Sequence, residues 1–264
     1  VLGKLLHAYA AIAAALGAYC LGRWLFSRPA GLFAAFAILS SGGFFQVSTG
    51  VYVEGLQTLY TLTALLAIGA FASGRDCGWL VTGALAAGLA MGVKYPAALF
   101  VAAPLAFAIL LRTDKPAKRV TSFVIFVLVA GAAVTPWLIK NLAFTGNPVY
   151  PLLYNVFGGR DWSALQDARW TMAHTPKGGL AWQQWSRHVF GMFFSEEHAR
   201  ISLLSLLFVP FALLVPGRSK RTLFTLGYSC LYVFLWLAAT HRIERFLVPA
   251  LAVLGAVSGA GLFS

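Results

Sequence analysis

Charge is scarce in this 264-residue chain: only 11% of its residues are Asp, Glu, Lys or Arg, against about 25% in a soluble domain. A chain so poor in charge cannot cover its own surface against water. Cysteine is nearly absent as well. Cys20, Cys77 and Cys230 are scattered and form no CxxC pair, which excludes a disulfide framework and a zinc site of the usual spacing. No Walker loop, dinucleotide-type glycine fingerprint, HExxH or Gly-x-Ser-x-Gly elbow occurs, so soluble nucleotide chemistry finds no support. His174, His188 and His198 lack metal-ligand spacing and read as surface histidines. The sequence therefore calls for no metal and no cofactor. Acidic residues number 8 against 20 Lys and Arg, a net charge of +12. The basic residues sit in small clusters and make no continuous stripe, which argues against nucleic acid as a partner.

What the chain has in abundance is apolar sequence: 59% of residues are hydrophobic and mean hydropathy is +0.78. Nine apolar runs lie near 2–22, 30–47, 51–72, 77–93, 95–111, 120–140, 201–217, 222–240 and 244–263. They are continuous rather than alternating, so they predict membrane-spanning helices and not barrel strands. The expected fold is all-α, a polytopic transmembrane bundle of about nine spans in one domain, residues 1–264. Pro96 separates the fourth and fifth runs, because proline removes a donor and forces its predecessor out of helical geometry. With that split, Arg23, Arg28, Arg75, Arg112, Lys115, Lys118, Arg119, Arg218, Lys220 and Arg221 share one side with only Asp76 and Asp114. The positive-inside rule assigns that side to the cytoplasm. Val1 then lies outside. The expectation is a fragment that lacks at least one N-terminal helix and the outer loop after it.

The outer side holds one long loop, 141–200, whose start at Asn141, Asn147 and Tyr150 is rich in turn residues. Trp182, Trp185, Val189, Phe190 and Phe193 recur at three- and four-residue steps. That spacing fits an interfacial helix, either a plain aromatic belt or the roof of a substrate cavity. Glu54 is the only acid inside an apolar run, Glu244 standing at the first position of the last one. Burying Glu54 costs about 2.5–3.5 kcal/mol, so a partner or a function is expected unless it reaches the headgroups. Lys94 precedes Tyr95 and Pro96 at a helix start, where backbone N–H groups favour an anion; snorkelling also accounts for a lysine there. In His241-Arg242-Ile243-Glu244-Arg245 a helical turn would set Arg242 and Arg245 on one face, suited to a phosphate. Glu244 is placed to pair with either arginine or to orient His241.

Several segments carry a family resemblance. They are Ala30-Gly31-Leu32, Val51-Tyr52-Val53-Glu54, Gly88-Leu89-Ala90-Met91-Gly92-Val93-Lys94-Tyr95, Pro136-Trp137-Leu138-Ile139-Lys140-Asn141, Gly146-Asn147-Pro148-Val149-Tyr150-Pro151 and Arg245-Phe246-Leu247-Val248-Pro249-Ala250. In this order they resemble the GT-C superfamily of membrane glycosyltransferases, near the family 39 group of protein O-mannosyltransferases and aminoarabinose transferases; Phe246 stands where the family has Tyr. The resemblance implies transfer of a sugar from a polyprenyl-phosphate donor to a lipid, glycan or protein acceptor on the non-cytoplasmic face of a bacterial inner membrane. It further implies a single inverting displacement with no metal strictly required. Lys94 and Arg245, with Arg242 beside them, carry over as donor-phosphate ligands. Glu54, Tyr95, Asn141, Asn147, Tyr150, His241 and Glu244 are expected to line the cavity, and the catalytic carboxylate is expected upstream of Val1. The competing readings are a transporter or flippase for a lipid-linked or anionic substrate and a non-catalytic scaffold. The transporter predicts midplane polar residues and paired broken helices. The sequence shows one break, no internal repeat and almost no ionisable midplane residue.

Overall fold

Every apolar run carries helix in the computed structural model, which describes residues 2–50, 52–112, 115–175, 186–187, 190–191, 202–214 and 220–263. The helices are α1 (Leu2–Leu25), α2 (Arg28–Leu39), α3 (Gly42–Thr49), α4 (Glu54–Ala72), α5 (Cys77–Val93), α6 (Ala103–Leu110, preceded by a π-helical turn at Ala98–Ala102), α7 (Pro116–Thr145), α8 (Tyr154–Phe157), α9 (Ala164–His174), α10 (Leu204–Leu207), α11 (Val209–Leu214), α12 (Lys220–Ala239) and α13 (Val248–Leu262), the last led by a 3-10 turn at Glu244–Leu247. No strand occurs among the described residues. The interfacial helix expected around Trp182, Trp185, Val189 and Phe193 lies outside them, as do His188 and His198.

The expected nine full spans are not all long enough. Among the described residues, five helices have the length and hydropathy to cross a membrane, or six if α2 and α3, bent by 68°, count as one. The bend falls at Ser40-Ser41-Gly42-Gly43, where serine and glycine weaken helix propensity and the Ser40 hydroxyl bonds back to the Ala37 carbonyl. Cys77–Val93, Ala98–Leu110 and Leu204–Leu214 are shorter apolar helices. Even the longest of these rises only about 25 Å at 1.5 Å per residue, less than the hydrocarbon core. The break predicted at Pro96 is present. Lys94 leaves the helix in an extended conformation, and its N–H closes α5 on the Ala90 carbonyl.

The bundle is built around α13. Every residue from Val248 to Gly261 is buried, with α1, α2, α4, α10, α11 and α12 packed around it. Association of helices in lipid relies on close packing rather than hydrophobic gain, so small residues mark the contacts. A Cβ on Gly259 would collide with the Ala30 carbonyl, and one on Gly88 of α5 with the Ala130 carbonyl of α7. Ser258 staples α13 to the helix pair α10–α11, donating to the Leu204 carbonyl and accepting from the Phe208 N–H. These contacts give a steric prediction within one helix. Gly88→Ala is expected to cost about 1–3 kcal/mol by overpacking, whereas Gly92→Ala, with nothing within 4 Å, is expected to cost nothing. Thermal unfolding of the purified protein in detergent checks the pair. Equal melting temperatures would show that the α5–α7 contact does not limit stability.

Candidate functional site

Glu54 opens the first turn of α4, where the helix macrodipole favours a negative charge. Its side chain is only 2% exposed, yet it is not alone. One carboxylate oxygen, Oε1, accepts from Lys94 Nζ at 2.6 Å, and Arg245 Nε lies 3.1 Å from the same oxygen. The Arg245 contact is Coulombic: its Nε–H does not complete a hydrogen bond. Lys94 and Arg245 keep 24% and 38% of their side chains exposed. The buried acid thus holds two cations from behind while their outer parts face open space. The three charges sum to one net positive unit.

Aromatic faces complete the hold on both cations. Lys94 Nζ sits 3.8 Å above the Phe246 ring, and the Arg245 guanidinium lies 4.8 Å from the centre of the Tyr52 ring, each in the range of a cation–π contact. Burial lowers the Lys94 ammonium from the ordinary lysine value. The Glu54 charge and hydrogen bond oppose that shift, and the Arg245 charge adds to it.

The strand of chain bearing Arg245 is held by α12. Tyr228, Tyr232 and Trp236 follow one another at helical four-residue steps. Tyr232 Oη donates to the Phe246 carbonyl and Trp236 Nε1 to the Ile243 carbonyl. One turn earlier, Tyr228 Oη donates to the Phe100 carbonyl in the π-helical turn. The sequence did not single out Tyr228, Tyr232 and Trp236, although the polar-aromatic spacing on α12 was there to read; Tyr52 and Phe246 figured only within the resemblance segments, without a role in the site.

Three recesses meet at the ion cluster. The largest, about 820 Å3, is lined by Lys94, Tyr95, Phe100, Arg245 and Phe246 and is covered by Pro151, Leu152, Trp170 and His174 from the long loop. The described part of the loop thus lines a cavity, while the helix expected as its roof, around Trp182 and Trp185, lies outside the described residues. His174, read from sequence as a plain surface residue, stacks on Trp170 at 4.1 Å and meets His241 edge-on at 4.9 Å. A narrow slot of about 20 Å3 runs behind Lys94 to Glu54 and Gln57. A third recess, about 70 Å3, lies beyond Arg245 between Gln46, Tyr52 and Glu244.

The structure sorts the sequence candidates. Glu54, Lys94, Tyr95, His241, Glu244 and Arg245 all face one or another of these recesses. Arg242 does not share a helical face with Arg245. It precedes the 3-10 turn in a left-handed conformation, φ 60°, and its Nε donates to the Leu237 carbonyl at the end of α12. Glu244 pairs with neither arginine among the described residues. Asn141, Asn147 and Tyr150 build the loop rather than line the cavity. The Asn147 amide donates to the carbonyls of Leu152 and Gly158, and its oxygen accepts from the Val149 N–H. Asn141 Nδ2 and Trp137 Nε1 both donate to the Tyr95 hydroxyl, which itself donates to the Tyr150 carbonyl. Tyr95 thereby ties the cavity wall to the loop. Among the described residues no group of three or more His, Cys, Asp or Glu is placed to hold a metal ion.

The architecture has known counterparts. ArnT from Cupriavidus metallidurans bound to undecaprenyl phosphate superposes with a TM-score of 0.70 at 15% identity, covering 98% of this chain and 46% of that one. The same enzyme in the apo state gives 0.68 at 16% identity, with 98% and 45% covered. The apo oligosaccharyltransferase of Archaeoglobus fulgidus gives 0.52 at 16% identity, with 97% and 39% covered. The chain spans less than half the length of each of these proteins. Comparison with curated protein sequences gives no match. The membrane-length helices and these shared folds make the chain an integral membrane protein of GT-C architecture. Residues 4–139, from α1 to within α7, match the dolichyl-phosphate-mannose-protein mannosyltransferase family, and the chain belongs to that family.

Proposed function

We propose that this chain forms the donor-binding part of a membrane glycosyltransferase that moves a sugar from a polyprenyl phosphate to an acceptor on the non-cytoplasmic face. The observation that carries the proposal is the cluster of Glu54, Lys94 and Arg245, a built site with one surplus positive charge at the edge of a large, loop-covered cavity. Lys94 supplies a point charge and Arg245 a planar fork, a combination suited to phosphate oxygens. Cations fixed in advance stabilise the phosphate most as it leaves, when its negative charge grows. Glu54 acts as the positioning residue, since its carboxylate is buried and committed to the two cations. The ArnT structure bound to undecaprenyl phosphate supports this class of donor. The excess of basic residues on the opposite set of loops supports the sidedness.

Binding of undecaprenyl phosphate to the intact protein in nanodiscs tests the reading. Lys94→Ala and Arg245→Ala are each expected to weaken it about 10- to 100-fold, the worth of a hydrogen bond to a charged group. Transfer from a labelled polyprenyl-phosphate sugar is expected to fall in parallel. Wild-type affinity in both variants would reject the phosphate site.

A further inference from the structure

Arg245 stands between two spaces of different character. On one side is the large cavity with Lys94, Leu99 and Phe100, roomy and mostly apolar. On the other is the small recess enclosed by the bent α2–α3 pair and the 243–251 segment. The second space is about 70 Å3, room for about five waters. It is too small for a lipid chain or a folded acceptor. Its lining is mixed: Ser41, Gln46, Tyr52, Glu244 and Arg245 bring polar groups, and Val47, Val248 and Leu251 bring aliphatic ones. No described residue bonds to the side chain of Gln46 or Glu244, so both are available to a ligand. A recess lined by both hydrogen-bonding and aliphatic groups suits a ligand that carries both kinds of surface. Sugar rings present hydroxyls at the edge and C–H groups on the face.

We propose that this recess holds the glycosyl ring of the donor, with Gln46 and Glu244 as the residues that read its hydroxyls. This rests on the polyprenyl-phosphate reading above. The sugar of such a donor is one bond removed from the phosphate, so its site must share a wall with the phosphate site. Arg245 and Ile243 line both spaces, and of the three recesses described at the ion cluster this pair combines that adjacency with a mixed polar and aliphatic lining. Glu244 accepts from hydroxyls, whereas the Gln46 amide both donates and accepts. A site built to bond hydroxyls rejects a ligand that lacks them, because its own polar groups are then left unpaired.

Equilibrium binding of dolichyl phosphate and dolichyl-phosphate-mannose to the intact protein in nanodiscs tests the assignment. The two ligands share a tail and a phosphate. The sugar-free lipid is a monoester with the larger negative charge and the mannosylated lipid a diester, so a preference for the latter reports the sugar and not the charge. Wild-type protein is expected to bind the mannosylated lipid at least tenfold more tightly. Gln46→Ala and Glu244→Gln are expected to remove most of that preference and to leave affinity for dolichyl phosphate unchanged, which also reports that the variants are folded. Lys94→Ala and Arg245→Ala are expected to weaken both ligands. A wild-type protein indifferent to the sugar overturns the assignment. So does a preference that survives both recess variants, or a loss of both affinities in them. A protein that binds neither lipid, or whose binding ignores Lys94 and Arg245, defeats the phosphate reading itself, and the sugar site falls with it.

Discussion

Glu54→Gln is expected to destabilise the folded protein by about 3–5 kcal/mol, the usual result of removing one partner from a buried ion pair. The size follows from the arrangement. The carboxylate is 2% exposed, and both Lys94 and Arg245 rest on its single oxygen Oε1. A glutamine can accept a hydrogen bond there but cannot neutralise two cations, which would then repel each other in a poorly solvated space. Adding Lys94→Met to Glu54→Gln is expected to recover part of the loss, because one of the two unmatched charges is gone. Phosphate linkage gives a sharper readout. An anion that binds only the folded state stabilises it by mass action. Undecaprenyl phosphate is therefore expected to raise the melting temperature of Glu54→Gln by more than that of wild type, since it supplies the missing negative charge. If Glu54→Gln melts like wild type, the carboxylate does not organise the site. If the lipid stabilises both proteins equally, the two cations do not face it.

The ion cluster also shows what could and could not be read in the sequence. That Glu54 needed a partner followed from its isolation in an apolar run, and that Lys94 sits at a helix break followed from Pro96. The identity of the partner did not follow. Lys94 is 40 positions away, and only the packing of α5 on α4 brings it to Glu54. Local spacing misplaced Arg242, because a three-residue interval implies a shared face only if the chain is helical there. At Arg242 the backbone is left-handed and the 3-10 turn begins two residues later. Asn141, Asn147 and Tyr150 were legible as a turn-rich segment, but the same polar groups that could serve a ligand instead satisfy the loop's own carbonyls. Run length is likewise an incomplete guide to helix length and course. Hydropathy records where chain is apolar, and it is blind to the serine–glycine bend between α2 and α3.

Trp236→Ala is expected to cost about 3–5 kcal/mol, the range for removing a large buried aromatic side chain. Trp236 is fully buried at the end of α12, and its indole N–H meets the Ile243 carbonyl at 3.0 Å. Trp236→Phe separates the two contributions. It keeps most of the packing and leaves the Ile243 carbonyl unpaired, at a cost of about 1–3 kcal/mol. The functional consequence is expected to exceed that stability loss. Ile243 lies two residues before Arg245, and displacement of a binding group by about 1 Å can cost 10²-fold. Affinity for undecaprenyl phosphate is therefore expected to fall at least about tenfold in Trp236→Phe. Tyr228→Phe is the matched control: it deletes a similar hydrogen bond from the same face of α12, but that bond goes to the Phe100 carbonyl and not to the segment bearing Arg245. Its stability loss is expected to be comparable and its loss of affinity much smaller. Equal affinity losses in the two variants would mean that α12 supports the bundle as a whole, and that the Trp236 hydrogen bond does not set the position of Arg245.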